Sequence, residues 1–509
     1  MDIKAGSIRR KFVPLSGWSA LRGVLWTATA VFLLLRFIHL SADFPSGITY
    51  SATLYTDEGW YASAAVRHYL FGDWYLANDF NAAVNMPVGQ ILHRLAFTVL
   101  GSSFFSARIT TAAAFVLIVG LLAGLVYRRW GSSAALLAAL LLATNYTGFA
   151  YSRLAIMEMI AICFVVAGIF VALGIEQGQH PHNLLLAAAL FAAGILTKPT
   201  MAFAVILLPY FAWRYGKTYR DRTILLLASG GVILTLVGGY HLTARLLFPE
   251  DYVYFGEINL GVRSHAGMWA WFRHLPEVAR RSSALGKSFV GMATLIIFLA
   301  IAVSQKYRRD PLFHVFSIYT VVYTASLTVV TYGPPRYYLP LLVPLAALCA
   351  VACIELGQRI TAVLTKPSST VLAAVPIVLV VGLTLHGSSK IIPYIANPSF
   401  SYVQMAHEMS EILETREGEA IGTVVFGHLT DTVAIETGIR SINTRLTTTP
   451  LDQKLRAYRP EYLVIHADED IIEAVTAEGG QVEELASWDV FDNYYADGQP
   501  VRLMQVIWN

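Results

Sequence analysis

The sequence predicts an all-α polytopic membrane protein of about eleven spans, ending in a small α/β domain outside the membrane. Three observations predict it. Apolar residues make up 56% of the 509 residues and charged residues only 14%, with a mean hydropathy of +0.54; soluble chains carry about a quarter charged residues. The apolar residues fall into continuous blocks, each near the ~20 residues that cross ~30 Å of hydrocarbon as a helix. Continuity without alternation excludes a β-barrel. Charge is also divided along the chain. Residues 387–509 hold 19 Asp/Glu against 8 Lys/Arg, and residues 1–386 hold 15 against 29. That division predicts a basic membrane domain over 1–390 and an acidic soluble domain over 391–509.

The N-terminal 22 residues are basic (Lys4, Arg9, Arg10, Lys11, Arg22). The first span follows, at about 21–40, and is read as retained because no clear cleavage site follows it. Arg36 and His39 near its end are expected to snorkel to the interface. Residues 41–104 form a long loop with two helical pieces, one from about Gly59 to Trp74 and an interfacial one opening at Asn85. Further spans are expected at about 105–127, 133–151, 157–175, 183–197, 200–214, 223–246, 288–305, 312–332, 337–355 and 369–386. The loop 247–287 is rich in Trp, His and Arg, which suits an interfacial segment or a lid. In the tail, Tyr402–Glu414 and Asp468–Thr476 read as helices, and Thr423–Phe426, Tyr462–Ile465 and Val501–Trp508 as strands. No G-x-G-x-x-G is present, and basic residues sit in short loops, so nucleotide and nucleic-acid binding are not indicated. Cys163, Cys349 and Cys353 lie inside apolar spans without metal-ligand spacing and read as packing residues.

Lys and Arg in short loops set membrane orientation. Arg128-Arg129, Arg214/Lys217/Arg220/Arg222, Lys306/Arg308/Arg309 and Arg359/Lys366 fall on one side, with the N-terminus. Those loops are cytoplasmic. The opposite short loops carry one basic residue each: Arg153, Lys198 and Arg336. The first loop, the 247–287 loop and the tail share that outer side.

On that side lies Tyr55-Thr-Asp-Glu-Gly59, two adjacent acids in a chain where acids are scarce. Asp57 and Glu58 read either as a helix cap or as part of a site. Arg153, Lys198 and Arg336 each read either as a snorkelling charge or as a ligand for an anion. Together with Glu158 on the same face they form a set suited to proton chemistry on one side and phosphate recognition on the other.

The order of four motifs resembles the GT-C glycosyltransferases, within them the bacterial protein mannosyltransferase and aminoarabinose transferase (ArnT-like) group. The motifs are Tyr55-Thr-Asp-Glu-Gly59, Ser152-Arg-Leu-Ala-Ile-Met-Glu158, Leu196-Thr-Lys-Pro199 and Arg336-Tyr-Tyr-Leu-Pro-Leu-Leu-Val-Pro344. The resemblance covers about residues 20–350 and implies a GT-C fold, a sugar donor linked to a polyprenyl phosphate, and inversion at the anomeric centre. It implies Asp57 as base, with Glu58 and Glu158 orienting the acceptor, holding Asp57 or binding a divalent cation. Lys198, Arg336 and Arg153 are the implied ligands of the donor phosphate. The implied acceptor is a glycan, lipid or protein hydroxyl, and the implied location is the bacterial inner (plasma) membrane. One departure stands out. Where the family often has a basic residue before Pro-Pro-Leu, this chain has Asn85-Met-Pro-Val88, so donor anchoring is expected to differ.

The chemistry suits these residue types. A phosphate gaining charge as the glycosidic bond breaks is stabilised by fixed cations, and an acceptor hydroxyl needs a base on the far side of the sugar. No acid is needed for a phosphate leaving group, unlike a glycosidase. A transporter or flippase of a lipid-linked glycan is the alternative. Against it, the ionisable residues gather at one face, and few lie in mid-span.

Overall fold

A computed structural model describes residues 18–45, 48, 54–79, 81–175, 182–257, 268–330, 333–363, 368–445, 448–466, 470–490 and 500–508. All eleven apolar stretches are helical in it, though several are short or broken. Among the described residues six helices are long and apolar enough to cross a membrane, or seven with one bent pair. The lower number is compatible with eleven stretches. Phe104–Thr144 (α4) is two helices run together across Gly131, whose φ of 81° is open to glycine and costly for other residues. Asn183–Thr197 and Pro311–Leu327 are apolar but shorter.

The first helix, Trp18–Leu34 (α1), packs along α4. Its last turn differs from expectation. Arg36 is fully buried, donating to Ser152 Oγ (3.1 Å) and to the Phe32 and Ala143 carbonyls, with its guanidinium over Phe115. Neighbouring helices supply carbonyls and an aromatic face that water would otherwise provide, so the side chain turns inward and does not snorkel. His39 is exposed, as expected.

The first loop is mostly helix: Leu54–Phe71 (α2) and Pro87–Leu100 (α3). α2 starts earlier than Gly59, so Asp57 and Glu58 lie inside its opening turns and do not cap it from outside. α3 opens on Pro87, whose missing N–H and fixed φ suit a first helical position.

The C-terminal part holds a five-stranded sheet in the order β2-β1-β3-β5-β4: Val424–Gly427 (β1), Arg440–Asn443 (β2), Tyr462–Ile465 (β3), Gly480–Trp488 (β4) and Val501–Trp508 (β5). β1, β2 and β3 are parallel and joined through helices Thr430–Thr437 and Leu451–Tyr458; β4 and β5 add antiparallel strands. Those two helices, β2 and β4 were not legible. β2 is a four-residue strand carrying Arg440 and Asn443, and β4 is half exposed and Glu-rich, so neither gives an apolar run.

The sheet and its helices sit directly on the first loop. Asp79 and Lys454 are both fully buried and paired at 2.9 Å, with Arg67 at 3.7 Å from the other carboxylate oxygen. Burial pushes the Asp79 carboxyl up to about 6, and Lys454 and Arg67 keep it from rising further. Asp43 accepts from Ser401 Oγ (2.7 Å) and from the Ser401 and Tyr402 N–H groups, starting helix Ser401–Glu417. Gly59 of α2 donates to Thr432 Oγ1 at 3.1 Å, and a Cβ at Gly59 would stand 2.2 Å from the Thr432 nitrogen. Backbone cannot yield as a flexible side chain can. Gly59→Ala is therefore expected to cost ~1–3 kcal/mol or more and to loosen the C-terminal part from α2. The checks are a lower melting temperature and faster proteolysis near residue 400; wild-type values in both would reject the close contact.

His428 follows β1 and stands edge-on to Trp60 of α2, 5.7 Å between ring centres. Burial, then the charges of Arg445 and His466, push its pKa down to about 3. The folded state thus holds His428 neutral while the unfolded chain protonates near 6.5. This contribution to stability is complete above pH 6.5 and is lost as pH falls towards 3, at up to ~1.4 kcal/mol per pH unit. Thermal unfolding of wild type between pH 7 and 5 is expected to fall more steeply than that of His428→Gln. Equal slopes would reject the assignment.

Candidate active site

Four helix ends meet at one membrane face. Asp57 sits in the first turn of α2, and Glu158 in the first turn of helix Met157–Gly174, where the helix dipole favours an acid. Lys198 ends helix Asn183–Thr197 in an extended conformation (φ −149°, ψ 114°) forced by Pro199, which also stops the helix. Arg336 follows Pro334-Pro335 at the start of a 3₁₀ turn, Pro335–Leu341, that leads into helix Leu342–Val363.

These four side chains form one buried ion-pair chain. Arg336 Nη2 is 2.7 Å from Asp57 Oδ2, and its Nε is 3.6 Å from Glu158 Oε1. Lys198 Nζ is 2.9 Å from the same Glu158 oxygen and donates to the Tyr61 hydroxyl. All four are 2–5% exposed. Two carboxylates and two cations balance. Nevertheless Glu158 Oε2 and Arg336 Nε and Nη1 have no hydrogen-bond partner among the described residues. Buried polar atoms are normally satisfied, so this chain retains capacity for a polar ligand.

Glu58 takes a different place. It is fully buried and faces Arg108 of α4, whose Nε and Nη2 reach its two oxygens at 2.8 and 2.7 Å. The Ala155 N–H adds 2.7 Å, and Arg108 Nη1 caps the Leu40 and Ala42 carbonyls. Adjacent residues on a helix point about 100° apart, which turns Glu58 away from Asp57 and into a clamp joining α2, α4 and the chain before Glu158. Arg153 is likewise occupied elsewhere: it donates to the Leu35, Arg36, Ile38 and His39 carbonyls and closes the end of the first helix. The structure thus brings together Asp57, Glu158, Lys198 and Arg336, and sets Glu58 and Arg153 in separate clamps.

A divalent cation on Asp57, Glu58 and Glu158 does not fit this arrangement. Each acid faces its own cation, and among the described residues no group of three His, Cys, Asp or Glu side chains is placed to hold a metal.

Sequence reasoning missed Tyr61, Tyr337 and Arg108. The Tyr61 ring lies under Lys198 (4.4 Å), and the Tyr337 ring lies 5.5 Å from Arg336 and 5.8 Å from Lys198. Burial keeps the Tyr61 hydroxyl protonated, well above its ordinary range, against the pull of Lys198. Gln90 of α3 fixes this turn, bonding the Tyr61 carbonyl (2.7 Å) and the Ala65 N–H (3.1 Å). Tyr61 is four residues after Asp57, hence on the same helix face; that spacing was the available signal. Arg108 gave none, because a single Arg at a span's start reads as interfacial.

The family described as dolichyl-phosphate-mannose-protein mannosyltransferase matches residues 84–240. The ArnT of Cupriavidus metallidurans bound to undecaprenyl phosphate is similar in structure, with a TM-score of 0.62 at 15% identity over 96% of this chain and 98% of that one. The chain has the GT-C glycosyltransferase fold. The apo state of the same ArnT gives a TM-score of 0.60 at 15% identity, covering 96% and 98%. The Archaeoglobus fulgidus oligosaccharyltransferase tethered to an acceptor peptide gives 0.53 at 11% identity, over 89% of this chain and 70% of that one. No curated protein sequence matches the chain. In this chain α2 packs against α3 on one side and against helix Thr430–Thr437 of the C-terminal part on another.

Proposed function

We propose that the chain is an inverting glycosyltransferase that moves a sugar from a polyprenyl-phosphate donor to an acceptor hydroxyl at the outer face of the bacterial inner membrane. The observation that carries this reading is the buried Asp57–Arg336–Glu158–Lys198 chain at the ends of membrane helices, with hydrogen-bonding capacity left over. The undecaprenyl phosphate named with the similar ArnT supports the donor class, and the Lys/Arg distribution supports the outer face.

In this reading the donor phosphate lies against Arg336 and Lys198. Arg336 offers a planar fork and Lys198 a point charge. Asp57 takes the proton of the acceptor hydroxyl as its oxygen bonds to the anomeric carbon. The carbon–oxygen bond to phosphate breaks on the opposite side, and its electron pair stays on the phosphate. Glu158 touches both cations and holds them at one point. Arrival of the phosphate competes with Asp57 for Arg336. The carboxylate is then released from its ion pair as the donor binds, which raises its basicity. Tyr61, kept protonated, is placed to donate to the phosphate or the acceptor.

The test is purified full-length protein in liposomes, supplied with polyprenyl-phosphate-linked sugars and extracted envelope acceptors. Release of one polyprenyl phosphate per transferred sugar, with inverted anomeric configuration, is expected. Movement of the lipid-linked sugar between leaflets without any cleavage would replace this reading with the flippase one.

A further inference from the structure

The face opposite the ion-pair cluster carries a second built feature. In α4, Arg128 lies 24 residues beyond the start at Phe104, about 36 Å along a helix, or one bilayer away. There, three turns distant in sequence line a shallow, open groove. Arg128 and Arg129 come from the Gly131 break in α4, Arg214 from the end of helix Leu207–Tyr215, and Lys306 and Arg309 from the turn between helices Lys287–Val303 and Pro311–Leu327. One acid lines it, Asp310, which accepts from the Leu312 N–H at 2.8 Å and starts the next helix.

Membrane orientation explains why these loops are basic. It does not require five cations from three turns, with a single acid among them, to share one wall. Aromatic residues stand next to the lining residues in sequence. Lys306 lies 4.8 Å over the Trp130 ring, and Trp213 and Tyr127 are 60% and 61% exposed. Trp and Tyr settle at headgroup depth, so the groove opens where lipid phosphates lie. Arg side chains fork onto phosphodiester oxygens. Basic pockets between membrane helices on this side suit anionic headgroups.

We propose that this groove binds the headgroup of an anionic phospholipid, on the membrane face opposite the candidate active site. The lipid neutralises the Arg128/Arg129/Arg214/Lys306/Arg309 wall and ties together the α4 break and the two neighbouring turns. The inference depends on the helix arrangement and not on the transfer reaction.

The experiment titrates purified full-length protein in neutral detergent with phosphatidylglycerol, cardiolipin, phosphatidylcholine and inorganic phosphate. Bound lipid is read by native mass spectrometry and stability by melting temperature. Phosphatidylglycerol or cardiolipin is expected to bind and raise the melting temperature, with phosphatidylcholine and inorganic phosphate inert. Arg128→Gln/Lys306→Gln is expected to weaken anionic-lipid binding at least tenfold. Lys217→Gln/Arg220→Gln removes the same charge from an exposed turn on the same face, outside the groove, and is expected to bind as wild type. Equal loss in both double variants would reduce the effect to general surface charge and overturn the site. Saturation by inorganic phosphate would overturn the lipid assignment. Should the groove variant not fold, Arg309→Gln alone is expected to weaken binding several-fold, and unchanged binding would reject the proposal.

Discussion

Asp57→Asn is expected to lower turnover by about 10²–10⁴-fold, the usual worth of a positioned base, while the protein inserts and folds. The substitution keeps the side-chain shape. It removes one charge from Arg336, which retains Glu158 at 3.6 Å as counter-ion, so no cation is left buried without an acid. Donor affinity is expected to hold or improve, because a competitor for the phosphate-binding cation is weakened. A fall in kcat with KM unchanged or lower marks an interaction made in the transition state. Glu58→Gln provides the contrast. It breaks the two-pronged bond to Arg108 (2.8 and 2.7 Å) and leaves that guanidinium buried without its acid, at a cost of about 3–5 kcal/mol. Its defect is expected in melting temperature and yield, with turnover per folded molecule largely kept. Near-normal transfer by Asp57→Asn, with a folded but dead Glu58→Gln, would exchange the two roles.

Arg336→Gln is expected to be the more damaging of the cation substitutions. It removes the link between Asp57 and Glu158, which lie 2.7 and 3.6 Å from its nitrogens. The donor phosphate loses its fork, and a fixed donor of that kind is worth about 10²–10³ in rate. Unlike Asp57→Asn, this change is expected to raise the donor KM as well as lower kcat, and to destabilise the fold by leaving Asp57 buried without its cation. Arg336→Lys keeps the charge but not the planar pair of donors, so it is expected to fall between wild type and Arg336→Gln in both constants. Steady-state kinetics on liposome-reconstituted variants check this. Equal KM in all three would remove Arg336 from phosphate binding.

The helices of the membrane part were legible because lipid requires continuous apolar runs, and Pro199 and Pro334-Pro335 mark the breaks where Lys198 and Arg336 stand. Loop charge pointed to Asp57, Glu158, Lys198 and Arg336, which the structure brings together, but equally to Glu58 and Arg153, which it holds in separate clamps. The tail strands Tyr462–Ile465 and Val501–Trp508 were read to the residue because they are buried or alternating apolar runs, whereas the short β2 and the Glu-rich β4 had no such pattern. Arg36 was expected to snorkel, and Arg153 to snorkel or to bind the donor phosphate. A charge at the end of a span suggests contact with water, but in the folded chain each is taken up by main-chain carbonyls of a neighbouring turn.

By itself the sequence determined that this chain crosses the membrane many times, which residues stand at the ends of its helices, and that those ends hold carboxylates and cations in one set. Only the tertiary structure decided the pairing: Asp57 with Arg336, Glu158 with Lys198, and Glu58 with Arg108. The reason is rotational. Two neighbours on a helix point in directions about 100° apart, and which of them faces the cluster depends on how the helix is turned. For α2 that turn is set by Gly59 against Thr432, two residues 373 apart in sequence, and by the Gln90 and Arg108 side chains of the helices beside it.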